Sequence, residues 1–184
     1  VNLKGMSNLI YPEFLKKGDT IGISAPSDGN KEETDYTRLN NGQKQLEKLG
    51  YKVIETDHVR TSNKGRSADA KTRASEFMEL ILKKDVKWIV SAKGGDYLLE
   101  TLPLIDFSLI KENPKWFQGF SDNTGLTYTI TTICDLATVY GNNFNDFGMT
   151  NWHESVKNNL KLMEGENIIQ TSFKNYQDGF YDRI

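Results

Sequence analysis

Short β-branched runs alternate with longer segments of helical period along almost the whole of this sequence, and few folds accommodate that alternation. Residues 20–25 (TIGISA) read as a strand and end in a turn cluster at Pro26, Ser27, Asp28 and Gly29. Tyr36, Leu39, Leu46 and Leu49 then fall on one helical face, and Gly50 stands where such a helix would stop. Residues 51–56 (YKVIET) alternate with period two. Ser67 is placed to cap a helix whose stripe is Ala70, Ala74, Phe77, Met78 and Ile81. Residues 86–92 (VKWIVSA) are the most strand-like of all and run into Gly94 and Gly95. A further apolar run, 116–120, meets Ser121, and the helical stripe Leu126, Ile130, Ile133, Cys134, Ala137 follows at once. Residues 138–140 read as a last short strand before Gly141. Trp152, Val156, Leu160 and Met163 form a final stripe that Gly165 ends. Strands separated by helices at this spacing predict βαβ units: an α/β, three-layer fold with a mostly parallel sheet and helices on both faces. Ligands of such sheets bind beyond the carboxyl ends of the strands. The loops at 26–30, 93–96 and 121–124 are therefore the candidate site.

Composition narrows the chemistry. The chain has 184 residues and a net charge of −2, from 23 basic and 25 acidic side chains, with no basic stripe of the kind a nucleic-acid polymer requires. No run of 18 apolar residues exists, so no membrane helix is expected. Cys134 is the single cysteine, which excludes an intrachain disulfide and fits a reducing cytoplasm. The fingerprints G-x-G-x-x-G and G-x-x-x-x-G-K-[ST] are absent, so no nucleotide cofactor is expected. His58 and His153 are far apart in sequence and no cysteine cluster accompanies them. Asp28, Asp96, Asp122 and Asp146 show no calcium-loop spacing. No metal site is expected.

Gly119, Phe120, Ser121 and Asp122 sit between a strand and a helix. A serine nucleophile gains there: a sharp turn lifts the hydroxyl out of the sheet, and a glycine two residues earlier leaves room. The next backbone N–H points to where an oxyanion forms, at a helix N-terminus that favours negative charge. Ser121 as a simple helix cap fits the same local pattern, and Asn123 stands where a full G-x-S-x-G has its last glycine. Gly94 and Gly95 read either as a close backbone approach to a ligand or as a tight turn with positive φ. Residues 142–148 (NNFNDFG) read either as a pocket lining for peptide or sugar or as a surface loop.

Taken in order, these segments resemble one family. Leu15 to Ile21 by their pattern LKKGDTI, then Ala25, Pro26 and Ser27, resemble the opening of LD-carboxypeptidases and of the related microcin C self-immunity peptidases. Gly65, Arg66, Ser67 and Ala68, then Arg73 and Ala74, and the strand into Gly94 and Gly95 fit the same pattern. So do Leu102, Pro103, Leu104, Ile105 and Asp106, then Asn113, Pro114 and Lys115. Gly119 to Asp122 match the family's G-[YF]-S-D motif. Tyr140 and Gly141, then Phe147, Gly148 and Met149, lean toward the self-immunity branch.

The resemblance implies a flavodoxin-like N-terminal domain of a serine carboxypeptidase. Ser121 would be the nucleophile, and the N–H groups of Asp122 and of either Gly94 or Gly95 would hold the oxyanion. The substrate would be a murein tetrapeptide or a peptidyl-nucleotide. No cofactor or metal is implied, and the full-length protein would be a cytoplasmic homodimer. It also implies the division of the chain: a tail at 1–11, in which 1–5 reads as an extension ahead of Met6, the nucleophile domain at 12–165, and from 166 to 184 the start of a linker to a second domain. That domain would carry the glutamate and histidine of the triad, so neither role falls to His58 or His153, and the chain alone is expected to be inactive. The family often has Arg-Gly-Gly-Tyr-Gly where this chain has Lys93, Gly94, Gly95, Asp96 and Tyr97, which alters the charge at the mouth. The competing expectations are a non-catalytic α/β module binding peptide or sugar, and a structural, dimerising remnant.

Overall fold

The computed structural model describes residues 9–175. The extension expected at 1–5 lies outside them, as does the linker beyond 175. Five strands form one sheet: β1 (Thr20–Ser24), β2 (Lys52–Glu55), β3 (Val86–Ser91), β4 (Trp116–Gly119) and β5 (Val139–Tyr140). Their order is β2-β1-β3-β4-β5 and every pairing is parallel. Ile21 pairs with Val53 on one side and with Trp88 on the other, and Gln118 joins Val90 to Val139. The flavodoxin-like, three-layer expectation holds.

Alternation along the strands divides the core in two. Ile21, Ile23, Trp88 and Val90 face helices α1 (Glu33–Lys48) and α5 (Glu154–Met163), meeting Leu39, Leu46, Val156, Leu160 and Met163. Ile89 and Phe117 face the opposite layer, formed by α2 (Ala70–Leu82), α3 (Phe107–Glu112) and α4 (Thr124–Cys134). There they meet Phe77, Leu80, Ile110, Leu126 and Ile130. Gly22 is a glycine for a packing reason: a Cβ there would stand 3.0 Å from the Leu80 side chain, so its absence lets α2 settle on the central strand. Each fully buried aliphatic or aromatic side chain here contributes about 1.5–3 kcal/mol.

Several local expectations are corrected. Asp69, not Ser67, caps α2, accepting from the Thr72 N–H. Ser67 is buried and donates to the Ala25 carbonyl, tying the loop after β2 to the loop after β1. Helix α3 has only six residues, too short for its period to register; Asp106 caps it. The segment 142–148 is not a surface loop: most of it is buried, and Asn142 lines a pocket, beside Tyr140 and Asn159. Phe144–Gly148 is a 3₁₀ turn whose Phe144 and Phe147 are fully buried against α1, with Phe144 3.0 Å from where a Cβ on Gly42 would lie. The stops at Gly50 and Gly165 are as expected, with φ of +93° and +87°.

Candidate active site

In this strand order the chain reverses direction across the sheet between β1 and β3. Sheets of this kind bind ligands beyond the carboxyl ends of the strands at such a switch point. Three of the loops that end there meet: the one after β1, carrying Ser27 and Asp28; the one after β3, carrying Gly94 and Gly95; and the one after β4, carrying Ser121.

Ser121 opens a 3₁₀ turn, Ser121–Asn123, that runs directly into α4. Its φ is +66°, and it is one of three non-glycine residues with positive φ among those described, beside Lys64 and Asp135. An L-residue held there costs on the order of 1–2 kcal/mol. Its carbonyl accepts from the Thr124 hydroxyl at 2.5 Å. It does not occupy a capping position: Phe120 precedes the 3₁₀ turn and Asn123 precedes α4. It is exposed at the strand-to-helix bend.

Gly94 lies against this residue. A Cβ on Gly94 would stand 2.8 Å from Ser121 Cβ and 3.0 Å from its Oγ, closer than any side chain tolerates. A Cβ on Gly95 would collide with the Ser27 hydroxyl. Neither glycine has positive φ, so the tight-turn explanation is overturned and close approach is the reason for both. Among the described residues neither the Gly94 nor the Gly95 N–H has a hydrogen-bond acceptor. A hydroxyl with unpaired amides beside it, at the start of a helix, is an arrangement that can develop and stabilise negative charge on a bound carbonyl oxygen.

The Asp122 carboxylate lies beside the same glycine, its Oδ1 3.6 Å from where a Cβ on Gly94 would stand. It takes the Ser27 hydroxyl and, at 3.3 Å, the Leu98 N–H, which draws the loop after β3 onto the start of α4. The Tyr97 N–H in turn reaches Ser27 Oγ at 3.4 Å. Lys93 does not stand free at the mouth, because its ammonium is 3.2 Å from Asp35 in the first turn of α1. Asp96 is exposed. Deeper, Arg73 of α2 is fully buried and donates to the Pro26 and Tyr97 carbonyls at 3.1 and 3.0 Å and to Glu100 at 2.6 Å. Glu100 is also gripped by Arg66, whose guanidinium stacks on the Tyr97 ring. Arg66 first, and Arg73 with it, hold the Glu100 carboxyl down at about 2.

Neither histidine is brought to Ser121. His58 pairs with Glu76 of α2. His153 caps α5, accepting from the Ser155 N–H, and packs on Phe173. Among the described residues no three His, Cys, Asp or Glu side chains converge as metal ligands would, and no helix is long and apolar enough to cross a membrane.

Sequence reasoning missed the buried amides of Asn123 and Asn143, which bond the carbonyl and the N–H of Phe120, the residue before Ser121. Their only sequence signal is the spacing of Asn123 four residues after Gly119. A Cβ on Gly119 would come within 2.9 Å of the Asn123 side chain.

Known proteins share the sequence pattern and the fold of this chain. The LD-carboxypeptidase N-terminal domain family matches residues 21–141. The microcin C7 self-immunity protein MccF of Escherichia coli is 36% identical over 130 residues, covering 69% of this chain and 37% of that protein. A probable murein peptide carboxypeptidase of Bacillus subtilis is 31% identical over 163 residues, covering 88% of this chain and 50% of that protein. The structure of MccF in complex with aspartyl sulfamoyl adenosine superposes with a TM-score of 0.76 at 31% identity, over 84% of this chain and 47% of that one. The chain thus spans half or less of the length of these relatives.

Proposed function

The chain belongs to the LD-carboxypeptidase family, whose N-terminal domain it carries, and from that membership we propose that it supplies the nucleophile of a serine-type carboxypeptidase. Ser121 Oγ attacks the carbonyl of a C-terminal amide. The N–H of Asp122 and that of Gly94 or Gly95 receive the negative charge on the carbonyl oxygen. Collapse of the tetrahedral intermediate expels the amine, which takes up a proton, and water then hydrolyses the ester on Ser121. The observation that carries this reading is the positive φ of Ser121 together with the close approach of Gly94, because a strained turn that presents a hydroxyl beside a free backbone N–H has a use in acyl transfer.

The base that takes the hydroxyl proton belongs, in this reading, to the part of the relatives' length that this chain does not span. His58 and His153 are engaged elsewhere. The substrate class follows the two kinds of relative: a murein tetrapeptide cut at its last L–D bond, or a peptidyl-nucleotide cut at an amide. Cytoplasmic placement and a homodimeric full-length protein belong to the same reading and rest on the family resemblance alone.

The test compares the full-length protein with its Ser121→Ala variant on a murein tetrapeptide and on a peptidyl-nucleotide amide. Turnover of either substrate by the parent and not by the variant sustains the reading and selects the substrate. Equal activity in the two removes Ser121 from the chemistry and favours a binding module.

A further inference from the structure

The hydrogen-bonded ladder between β3 and β4 ends at Val90 and Gln118, yet Gly94 and Ser121, three or four residues further on, are in van der Waals contact. Sheet pairing does not hold them together there. Two buried amides span the gap. Asn123 is fully buried, and its Nδ2 lies 3.2 Å from the Lys93 carbonyl, 3.0 Å from the Phe120 carbonyl and 3.3 Å from Asn143 Oδ1. Asn143, also buried, turns the same Oδ1 to the Phe120 N–H at 3.1 Å. The loop after β5 is fixed in turn by the Asn145 N–H, which donates to the Ala92 carbonyl at 3.2 Å. One amide therefore touches the residue before Gly94 and the residue before Ser121, and a second clamps the residue before Ser121 from the other side.

The geometry has a direct consequence for the hydroxyl. The Phe120 carbonyl belongs to the peptide plane that precedes Ser121, and φ of Ser121 is the rotation about the bond that leaves that plane. Holding the carbonyl with Asn123 and the preceding N–H with Asn143 fixes the plane from which the +66° turn is made. The Lys93 carbonyl likewise belongs to the peptide whose N–H is that of Gly94, so the same Nδ2 orients that N–H. Gly119 lets the Asn123 amide lie flat against the strand and leaves it little room to turn.

We propose that Asn123, braced by Asn143, is a positioning residue that sets the distance and orientation of the Gly94 N–H relative to the Ser121 hydroxyl. The proposal rests on the reading of Ser121 as nucleophile. It is tested in the full-length protein with Asn123→Ala and Asn143→Ala, beside Ser121→Ala. The readouts are far-UV circular dichroism, the rate of Ser121 labelling by a fluorophosphonate, and kcat and KM on whichever substrate the parent accepts. Folded amide variants with labelling and kcat down about ten- to a hundredfold and KM within about threefold are expected, since a misplacement of 1 Å costs about that much. Folded variants with parental kcat and labelling overturn the assignment. So does failure of both variants to fold, which makes the amides structural. If Ser121→Ala labels and turns over as the parent does, the nucleophile reading itself has failed and there is nothing for the amides to position.

Discussion

At Ser121 conformation and chemistry pull in opposite directions. The hydroxyl gains its exposed position from a φ of +66° that an L-residue resists and glycine does not. Ser121→Gly should therefore be more stable than Ser121→Ala by about 1 kcal/mol, although both lose the hydroxyl. Urea unfolding of the two variants measures this; an alanine variant as stable as the glycine variant would mean that the turn is unstrained. Gly94 makes the complementary case. A methyl at this position meets Ser121 Cβ at 2.8 Å, an atom anchored to the backbone. Gly94→Ala should lower kcat/KM of the full-length protein by about a hundredfold, and retention of parental kcat/KM would show that the two loops separate without cost. Ser121 and Gly94 were legible in the sequence because each sits where a strand pattern stops. The braces were not. Asn123 and Asn143 look like ordinary turn residues, and their partners include main-chain groups of two loops, those after β3 and β4, which no local pattern reveals.

Elements were legible in proportion to their length and period. The strands of the sheet and helices α1, α2, α4 and α5 follow from apolar spacing, whereas α3 and the 3₁₀ turn at Phe144–Gly148 are too short to show one. The start of α2 was misread because Ser67 and Asp69 are both capping residues, and burial of the Ser67 hydroxyl against the Ala25 carbonyl decides between them. Helix α2 also carries the link that holds two loops of the candidate site. Arg73 is fully buried and satisfies the Pro26 and Tyr97 carbonyls and Glu100. Arg73→Ala strands these acceptors and should destabilise the fold by about 2–4 kcal/mol; a loss below 1 kcal/mol in chemical denaturation would show that water replaces the guanidinium. The acid behaviour of the same cluster follows from Glu100. Its folded pKa, about 2, lies below its ordinary 4.5, with Arg66 the larger cause. The sign is that of a depressed carboxylate: its contribution is present above about pH 4.5 and is lost as pH falls toward 2. Glu100→Gln should flatten that limb of the melting temperature against pH, and an unchanged acid limb would refute it.

For the whole molecule, the fold and the proposed chemistry make different demands on the chain. Among the described residues the five-stranded sheet has helices on both faces and an apolar cluster against each. The turn at Ser121 is formed within this unit, because the strain there is opposed by bonds from Thr124, Asn123 and Asn143, all of which belong to it. A serine hydroxyl without a base is nevertheless a weak nucleophile at neutral pH. The two histidines of the chain are held by Glu76 and by the first turn of α5. The 184-residue chain should therefore fold cooperatively and yet hydrolyse neither a murein tetrapeptide nor a peptidyl-nucleotide amide, and a fluorophosphonate should label its Ser121 slower by a factor on the order of 10³ than in the full-length protein. Single-turnover labelling of the two chains under one set of conditions decides the point. Equal rates would mean that a base lies within this unit after all, and His58, whose ring is partly exposed beside Glu76, would be the first residue to replace.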